Sequence, residues 1–180
     1  MTSKGPHACV VQVPTTAQQL DQVRSLMRSF IAWHKDRHRE DMRLIDAYFD
    51  AEAFEQELAS LPGKYAPPHG QLLLATVDDS PAGCVALREI DSASCEMKRM
   101  FVRPAYRGNG FGKKLTLAIL DEALDMGYER VRLDTAPTMH EAIRLYEAIG
   151  FRRIEPYRHY PVADVIFMEV VLHSREKPLP

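Results

Sequence analysis

Apolar residues follow two spacings along the chain, and the short continuous runs predict β-strands. A run of apolar residues at 8–13 predicts a first strand, which ends before Pro14. Three longer runs follow at 72–77, 82–90 and 95–102, and the short turns between them are rich in Asp, Ser and Pro. Such spacing is typical of strands joined as antiparallel neighbours. The remaining strands are predicted at 131–135, 151–154 and 163–172.

Helices are predicted where apolar residues recur every three or four positions. The first helix begins at a capping box within 15–19, where threonine is followed three residues later by glutamine. Its apolar stripe ends at Ile31, and the polar run 34–41 is interpreted as a break in the helix. A second helix is predicted at about 43–60, and Leu61-Pro62-Gly63 ends it.

Two later helices are bounded by glycines. The first of them follows the loop 104–110 and ends at Gly127. The other begins at a second predicted capping box, 138–141, and ends at Gly150. Both therefore have a recognisable stop signal in the sequence.

The order of these elements, βαα, βββ, αβ, αβ, β, predicts one α/β domain. The domain spans 1–180, because no linker rich in Gly or Ser divides it. Its N-terminal strand and two helices occupy 8–61, and the other elements occupy 71–172. We expect a mixed, mostly antiparallel central sheet that is flanked by helices.

The composition excludes several classes of protein. The 23 Lys and Arg residues are balanced by 25 Asp and Glu residues, so the chain lacks the surplus positive charge that binds nucleic acid. The three cysteines form no C-x-x-C pair and are expected to be reduced. No signal peptide or membrane-spanning apolar run is evident, so we expect a cytoplasmic protein without membrane contact. The histidines lack metal-ligand spacing, and no metal is expected.

The most informative segment is Arg107-Gly108-Asn109-Gly110-Phe111-Gly112-Lys113, between a predicted strand and a predicted helix. Alternate glycines let successive backbone N–H groups point inward, and the N-terminus of the helix adds a partial positive charge. The segment therefore favours a phosphate or pyrophosphate, and a glycine-rich turn without a ligand is the alternative. It matches neither the nucleoside-triphosphate loop nor the dinucleotide fingerprint, because Arg107 and Lys113 stand where those motifs need glycine.

Two motifs about thirty residues apart add to this segment. They are Val102-Arg103-Pro104 followed by Arg107-Gly108-x-Gly110-x-Gly112, and Ala142-x-x-Leu145-Tyr146-x-x-x-Gly150-Phe151. Together they resemble the motifs of the GNAT superfamily of N-acetyltransferases, and the resemblance covers about 72–172 as well as the strand-helix-helix opening. It implies a V-shaped gap between the fourth and fifth strands, in which acetyl-coenzyme A (acetyl-CoA) lies.

The resemblance also implies which residues contact this co-substrate. The pantetheine arm is expected to hydrogen-bond, as an added strand would, the backbone of Met100, Phe101 and Val102. The pyrophosphate is expected at the backbone N–H groups of 107–113. Many relatives have an asparagine where Met139 stands here, so the candidates for a side-chain contact to CoA are Thr135 and His140. A structural role is the alternative interpretation of both residues.

Acyl transfer from a thioester to an amine needs a proton for the leaving thiolate, and the resemblance assigns this proton to Tyr146. A buried core aromatic is the alternative interpretation of Tyr146. Glu96, near the start of a central strand, corresponds in position to a glutamate that many relatives use as a base. An ion pair with Lys98 or Arg88 explains Glu96 equally well, and both interpretations stay open.

Basic residues on central strands bear on the acceptor of the acetyl group. Arg88, Lys98 and Arg99 lie where burial is expected, and a buried charge needs a partner. They predict an anionic acceptor, with neighbouring acidic residues or the cofactor as alternative partners. Simple alternation places Lys98 and Arg99 on opposite faces of the sheet. Tyr157 and His159 lie in a loop that forms one wall of the acceptor site in relatives.

These features predict an N-acetyltransferase that moves an acetyl group from acetyl-CoA directly to the primary amine of a small acceptor, preferably one that bears a carboxylate. A non-catalytic acyl-CoA sensor domain and a protein or peptide acetyltransferase are the alternatives. Tyr146 and Glu96 favour the enzyme, and the basic strand residues weigh against lysine-rich protein tails. A homodimer is one alternative for the oligomeric state, because dimers are frequent in such families.

Overall fold

The computed structural model describes residues 8–37, 50–159 and 165–173, which contain seven strands and four helices. The strands are β1 (Cys9–Gln12), β2 (Gln71–Val77), β3 (Ser80–Glu89), β4 (Ser94–Val102), β5 (Arg130–Thr135), β6 (Arg152–Ile154) and β7 (Ile166–Val171). The helices are α1 (Ala17–Arg37), α2 (Ala51–Ala59), α3 (Phe111–Asp125) and α4 (His140–Ile149). None of these helices is long and apolar enough to cross a membrane.

The strands form one sheet in the order β1-β2-β3-β4-β5-β7-β6. Neighbouring strands are antiparallel throughout, except for β4 and β5, which run parallel. The sequence predicted each of these strands, and the mixed, mostly antiparallel α/β architecture is confirmed.

Each face of the sheet is covered by two helices and carries its own apolar cluster. On the α3–α4 face, Leu115 and Tyr146 pack with Leu133 of β5. On the α1–α2 face, Leu26 and Phe54 pack against the other side of the central strands. Burial of these apolar side chains is the main force that holds the helices on the sheet.

Most of the predicted signals at helix ends act as expected, and one is wrong. At the start of α1, the backbone N–H of Gln19 donates to Thr16 Oγ1 at 3.2 Å, and the Gln19 side chain accepts from the Thr16 N–H at 3.2 Å. Gly150 ends α4 with a φ of 117°. The second capping box was predicted wrongly, because α4 is preceded by Met139 and no side chain caps it.

Two helix boundaries differ from the prediction. Helix α1 continues to Arg37, into the polar run that was interpreted as a break. The guanidinium of Arg37 lies 5.2 Å from the ring centroid of Trp33 and pairs with Glu141 of α4 at 3.3 Å, and these contacts stabilise the last turn. The predicted helix at 43–60 is confirmed for its second half, where Asp50 caps α2; the preceding part lies outside the described residues.

A β-bulge in β4 changes the direction of its charged side chains. Between Lys98 and Phe101, two residues of β4 stand opposite the single Val85 of β3. Arg99 occupies the bulge with a φ of 57°. Lys98 lies opposite Ala86, which packs on the α1–α2 face, and Arg99 contacts α2 on that same face. The prediction that Lys98 and Arg99 point to opposite faces is therefore wrong.

Candidate active site

Strands β4 and β5 separate into a V-shaped gap. Their parallel pairing consists of three residue pairs and ends at Glu96 and Arg132. Beyond this point 97–102 of β4 pair with β3 alone, and 133–135 of β5 pair with β7 alone. Backbone N–H and C=O groups on both edges are thus open to an extended ligand. The gap confirms the sequence prediction, and the open edge of β4 includes Met100, Phe101 and Val102.

The segment 107–113, here called the glycine loop, lies at the wide end of the gap, between β4 and α3. Gly108 and Gly110 have φ values of 80° and 77°, which glycine adopts without the strain that a side chain would cause. A Cβ atom at either position would meet no atom within 4 Å, so both glycines face open space. Helix α3 begins directly behind them, with no acidic residue in its first turn. Its first N–H groups lack acceptors within the helix, an arrangement that suits an anion.

The other loop residues determine the shape of the loop. The Asn109 side chain donates to two carbonyl groups of the loop itself, each at 3.2 Å. The rings of Tyr106 and Phe111 stack across the loop with their centroids 6.3 Å apart. A Cβ at Gly112 would lie 3.3 Å from the Leu145 side chain, so this glycine lets α3 approach α4. Because the side chains of Asn109 and Phe111 are engaged within the loop, these two residues would bind a ligand through their backbone N–H groups.

Two cationic side chains flank the loop. The Nε of Arg107 donates to the carbonyl of Val102 at 3.0 Å, and its guanidinium lies 4.3 Å from the ring centroid of Trp33 in α1. Burial and the nearby charge of Arg37 lower the pKa of Arg107, but an arginine stays protonated near neutral pH. Lys113 is exposed on the first turn of α3. The loop thus combines open backbone donors with two positive charges.

Tyr146 is buried on the α3–α4 face, where its ring lies 5.6 Å from that of Phe151 between centroids. Burial raises the pKa of Tyr146, and the negative charge of Asp134 on β5 acts in the same direction. The hydroxyl therefore keeps its proton at neutral pH, as a proton donor must. Thr135, at the end of β5, is also buried and lies on the same face as Leu133.

Glu96 is fully buried, and both of its carboxylate oxygens are engaged. The Nε and one terminal nitrogen of Arg88 each lie 2.7 Å from Oε2. The hydroxyl of Tyr157 donates to Oε1 at 2.7 Å, and Arg158 donates to the same oxygen. This geometry fits the ion-pair interpretation of Glu96 better than the interpretation as a base.

Asp134 joins the same group of side chains from the opposite side of the gap. Lys98 Nζ donates to Asp134 Oδ1 at 2.9 Å and lies 3.9 Å from Glu96 Oε1. Arg158 donates to both carboxylates and so bridges the two strands. Burial and nearby arginine charges lower the pKa of Lys98 to about 7, whereas its ion pair with Asp134 acts in the opposite direction. These side chains form the gap cluster: Arg88, Glu96, Lys98, Asp134, Tyr157 and Arg158.

A further carboxylate with a buried side chain, Glu57 of α2, lies close to the gap cluster and affects the pKa of Lys98. Arg99 donates to its two oxygens at 2.7 and 3.0 Å, Lys64 binds it at 2.6 Å, and the Tyr65 hydroxyl donates at 2.9 Å. Burial alone would raise the pKa of Glu57, but Arg99 and Lys64 outweigh burial and lower it to about 2. Arg99 therefore has an acidic partner of its own.

The structure brings together most, but not all, of the predicted acceptor residues. Tyr157 belongs to the gap cluster, whereas His159 is exposed and takes no part in it. Asp134 and Glu57 were not predicted as members of the site. Asp134 had only a weak signal in the sequence, as an acidic residue on a predicted strand where polar and apolar residues alternate. Glu57 had none, since it lies on an amphipathic helix with several other acidic residues.

Comparisons with known proteins agree with this geometry. A family model described as the acetyltransferase (GNAT) family matches residues 24–151. An uncharacterized N-acetyltransferase of Schizosaccharomyces pombe is 41% identical over 118 residues, which cover 64% of this chain and 72% of that protein. Human N-acetylaspartate synthetase is 30% identical over 140 residues, which cover 73% of this chain and 46% of that protein.

Solved structures support the same fold at lower sequence identity. The PaiA N-acetyltransferase of Thermoplasma acidophilum, in complex with coenzyme A, has a TM-score of 0.69 at 17% identity and covers 92% of this chain and 99% of its own. The match to the family model includes the gap, the glycine loop and Tyr146. The chain therefore belongs to the acetyltransferase (GNAT) family.

Proposed function

We propose that the protein takes an acetyl group from acetyl-CoA and transfers it to the primary amine of a small acceptor that bears a carboxylate. The observation that carries this proposal is the open gap between β4 and β5 with the glycine loop at its wide end. Together they provide an extended backbone edge and an anion site in one continuous groove.

The donor site fits acetyl-CoA in shape and in charge. The open edge of β4 would hold the extended pantetheine arm. Gly108, Gly110 and the first N–H groups of α3 would hold the pyrophosphate, and Arg107 and Lys113 add positive charge. Bound acetyl-CoA supplies the activated acetyl thioester. The coenzyme A complex of the PaiA enzyme, which shares the fold, supports this assignment.

Replacing Gly110 with valine is expected to weaken CoA binding by about 10- to 100-fold. The branched side chain would project into the open space in front of the loop and displace charge-assisted hydrogen bonds to phosphate, which are worth about 1.5–3 kcal/mol. The affinity for CoA is measured by titration calorimetry on the purified variant.

Gly127→Val is the matched control for this variant. Gly127 also has a positive φ, 89°, and a Cβ there would also meet no atom within 4 Å, but it lies just beyond the opposite end of α3. Both variants carry similar backbone strain, so Gly127→Val is expected to bind CoA as the wild type does. Equal CoA affinity for the two variants would show that the phosphate assignment of the loop is wrong.

The acceptor site is proposed on the α1–α2 face of the gap, at the gap cluster and the neighbouring Glu57. Among the described residues these groups carry more positive than negative charge: Arg88, Lys98, Arg158, Arg99 and Lys64 against Glu96, Asp134 and Glu57. These side chains would hold an anionic acceptor through charge-assisted hydrogen bonds. The human relative is named for N-acetylaspartate, an acetylated amino acid with two carboxylates, which supports the same class of acceptor here.

We expect L-aspartate to be acetylated with a kcat/KM about 10- to 100-fold higher than that of its dimethyl ester. The ester keeps the carbon skeleton and the amine but removes both negative charges, and each lost hydrogen bond to a charged group costs about 1.5–3 kcal/mol. Thiol release from acetyl-CoA is followed for both compounds. Equal values would contradict an anionic acceptor and would leave the assignment as an acetyltransferase intact.

Within this proposal the side chains at the gap have distinct roles. Tyr146 would protonate the leaving thiolate, because its hydroxyl stays protonated at neutral pH and its ring packs beside β5, one of the two strands of the gap. Glu96 holds Arg88 and Arg158 in place rather than acting as a base, because both of its oxygens already accept hydrogen bonds. Binding of CoA, but no release of the CoA thiol from acetyl-CoA with any amine tested, would favour the acyl-CoA sensor instead.

A further inference from the structure

The last turns of α1 contact both sides of the gap. On one side, Arg37 donates to the backbone carbonyl of Thr138 at 3.4 Å and pairs with Glu141 at 3.3 Å, so it binds the start of α4. On the other side, the ring centroid of Trp33 lies 6.4 Å from that of Phe101 in β4. Helix α1 carries none of the motifs that identify the donor site, yet it reaches the edge of that site.

Two guanidinium groups lie close to the ring of Trp33, those of Arg107 at 4.3 Å and Arg37 at 5.2 Å from the ring centroid. Such stacking uses the flat face of a guanidinium and leaves its edge for hydrogen bonds. The Nε of Arg107 is also engaged, since it donates to the Val102 carbonyl at 3.0 Å. The two terminal nitrogens of Arg107 form no hydrogen bond within the described ranges of the chain.

An arginine side chain that is fixed in this way is preorganised to bind an anion. A free arginine side chain loses its rotamer freedom when it binds, and this loss weakens the affinity. Arg107 has already lost that freedom, because its face and its Nε are anchored while its terminal nitrogens stay available. It also begins the glycine loop, so these nitrogens lie beside the open backbone donors.

We propose that Trp33 is a positioning residue of the donor site, which holds Arg107 so that its terminal nitrogens bind the pyrophosphate of CoA. The inference rests on the proposed function, because it takes this pyrophosphate as the ligand of the glycine loop. Trp33 itself touches no reacting atom, and it acts through Arg107.

Titration of CoA into variants of the full chain tests this role. Trp33→Ala is expected to weaken CoA binding about 10-fold, the effect of freeing one long side chain, and Trp33→Phe to weaken it less because an aromatic face remains. Phe30→Ala is the matched control. Phe30 lies on the same helix, and its ring contacts that of Phe101 at 5.8 Å, so its removal loosens α1 in a similar way while the stack of Trp33 on Arg107 remains. This variant is expected to bind CoA as the wild type does.

Two further measurements separate positioning from a general loss of packing. In an Arg107→Ala background, the additional change Trp33→Ala should cause no further loss of CoA affinity, because the two residues act through one interaction. Pantetheine has the arm but lacks the pyrophosphate, so its affinity for Trp33→Ala should equal its affinity for the wild type. A loss that persists in the Arg107→Ala background, or that extends to pantetheine, would overturn the role of Trp33. If the wild type itself does not bind CoA, the proposed donor site is wrong. The wild-type titration therefore separates a failure of the proposed function from a failure of the role of Trp33.

Discussion

Replacing Tyr146 with phenylalanine is expected to slow acetyl transfer by about 10²- to 10⁴-fold and to leave the affinity for CoA unchanged. Burial and the charge of Asp134 raise the pKa of Tyr146, so the hydroxyl holds a proton that the leaving thiolate needs. Phenylalanine keeps the ring contact with Phe151 but has no proton to give. The turnover number with L-aspartate and the calorimetric affinity for CoA are the two measurements.

Tyr128→Phe is the control for this result. Tyr128 is also buried on the α3–α4 face, but its hydroxyl donates to the carbonyl of His69 at 2.8 Å, away from the gap. Loss of that hydroxyl is expected to leave the turnover number unchanged. Wild-type turnover in Tyr146→Phe as well would assign Tyr146 to the core, as the alternative interpretation of the sequence has it.

The change Glu96→Gln is expected to lower the free energy of unfolding by about 3–5 kcal/mol, because it removes a fully buried carboxylate from two partly buried arginines. Arg88 would lose its partner, and Arg158 would keep only Asp134 among its described acidic contacts. Urea denaturation of wild type and variant, each free of ligand, measures the loss.

Glu55→Gln provides the comparison for Glu96→Gln. Glu55 pairs with Arg28 at 2.8 Å, but both side chains are more than half exposed, so water replaces the lost contact. The urea midpoint of this variant is expected to match that of the wild type. Similar midpoints for both variants would mean that the gap cluster does not depend on the Glu96 carboxylate.

The strands and the glycine loop were predictable because their signals are local. Apolar runs between turn residues identify the strands, and the spacing of Gly108 and Gly110 predicts an anion site without knowledge of the fold. The end of α1 was not predictable in this way, since Arg37 is held there by Glu141, a partner more than a hundred residues away.

The proposed acceptor site depends on one backbone irregularity and on contacts between distant segments. An arginine with a positive φ has no signature in the sequence, so the bulge at Arg99 was missed and every side-chain direction beyond it was reversed. Arg99 then meets Glu57 from a helix forty residues earlier, and Arg158 reaches Asp134 from a loop that follows the last helix. Such pairs follow from the assembled sheet and not from any single segment.

The parallel ladder of three residue pairs between β4 and β5 divides the sheet into two blocks, β1–β4 and β5–β7. Most sheets are weakest at their outer strands, where backbone groups are unpaired, whereas this sheet also has a seam of open backbone at its centre. A ligand present at a hundred times its dissociation constant adds about 2.7 kcal/mol to the stability of the native state. Acetyl-CoA bound in the seam would concentrate that gain there, so we expect the supply of this ligand to govern how often the two blocks separate and how long the chain resists proteolysis.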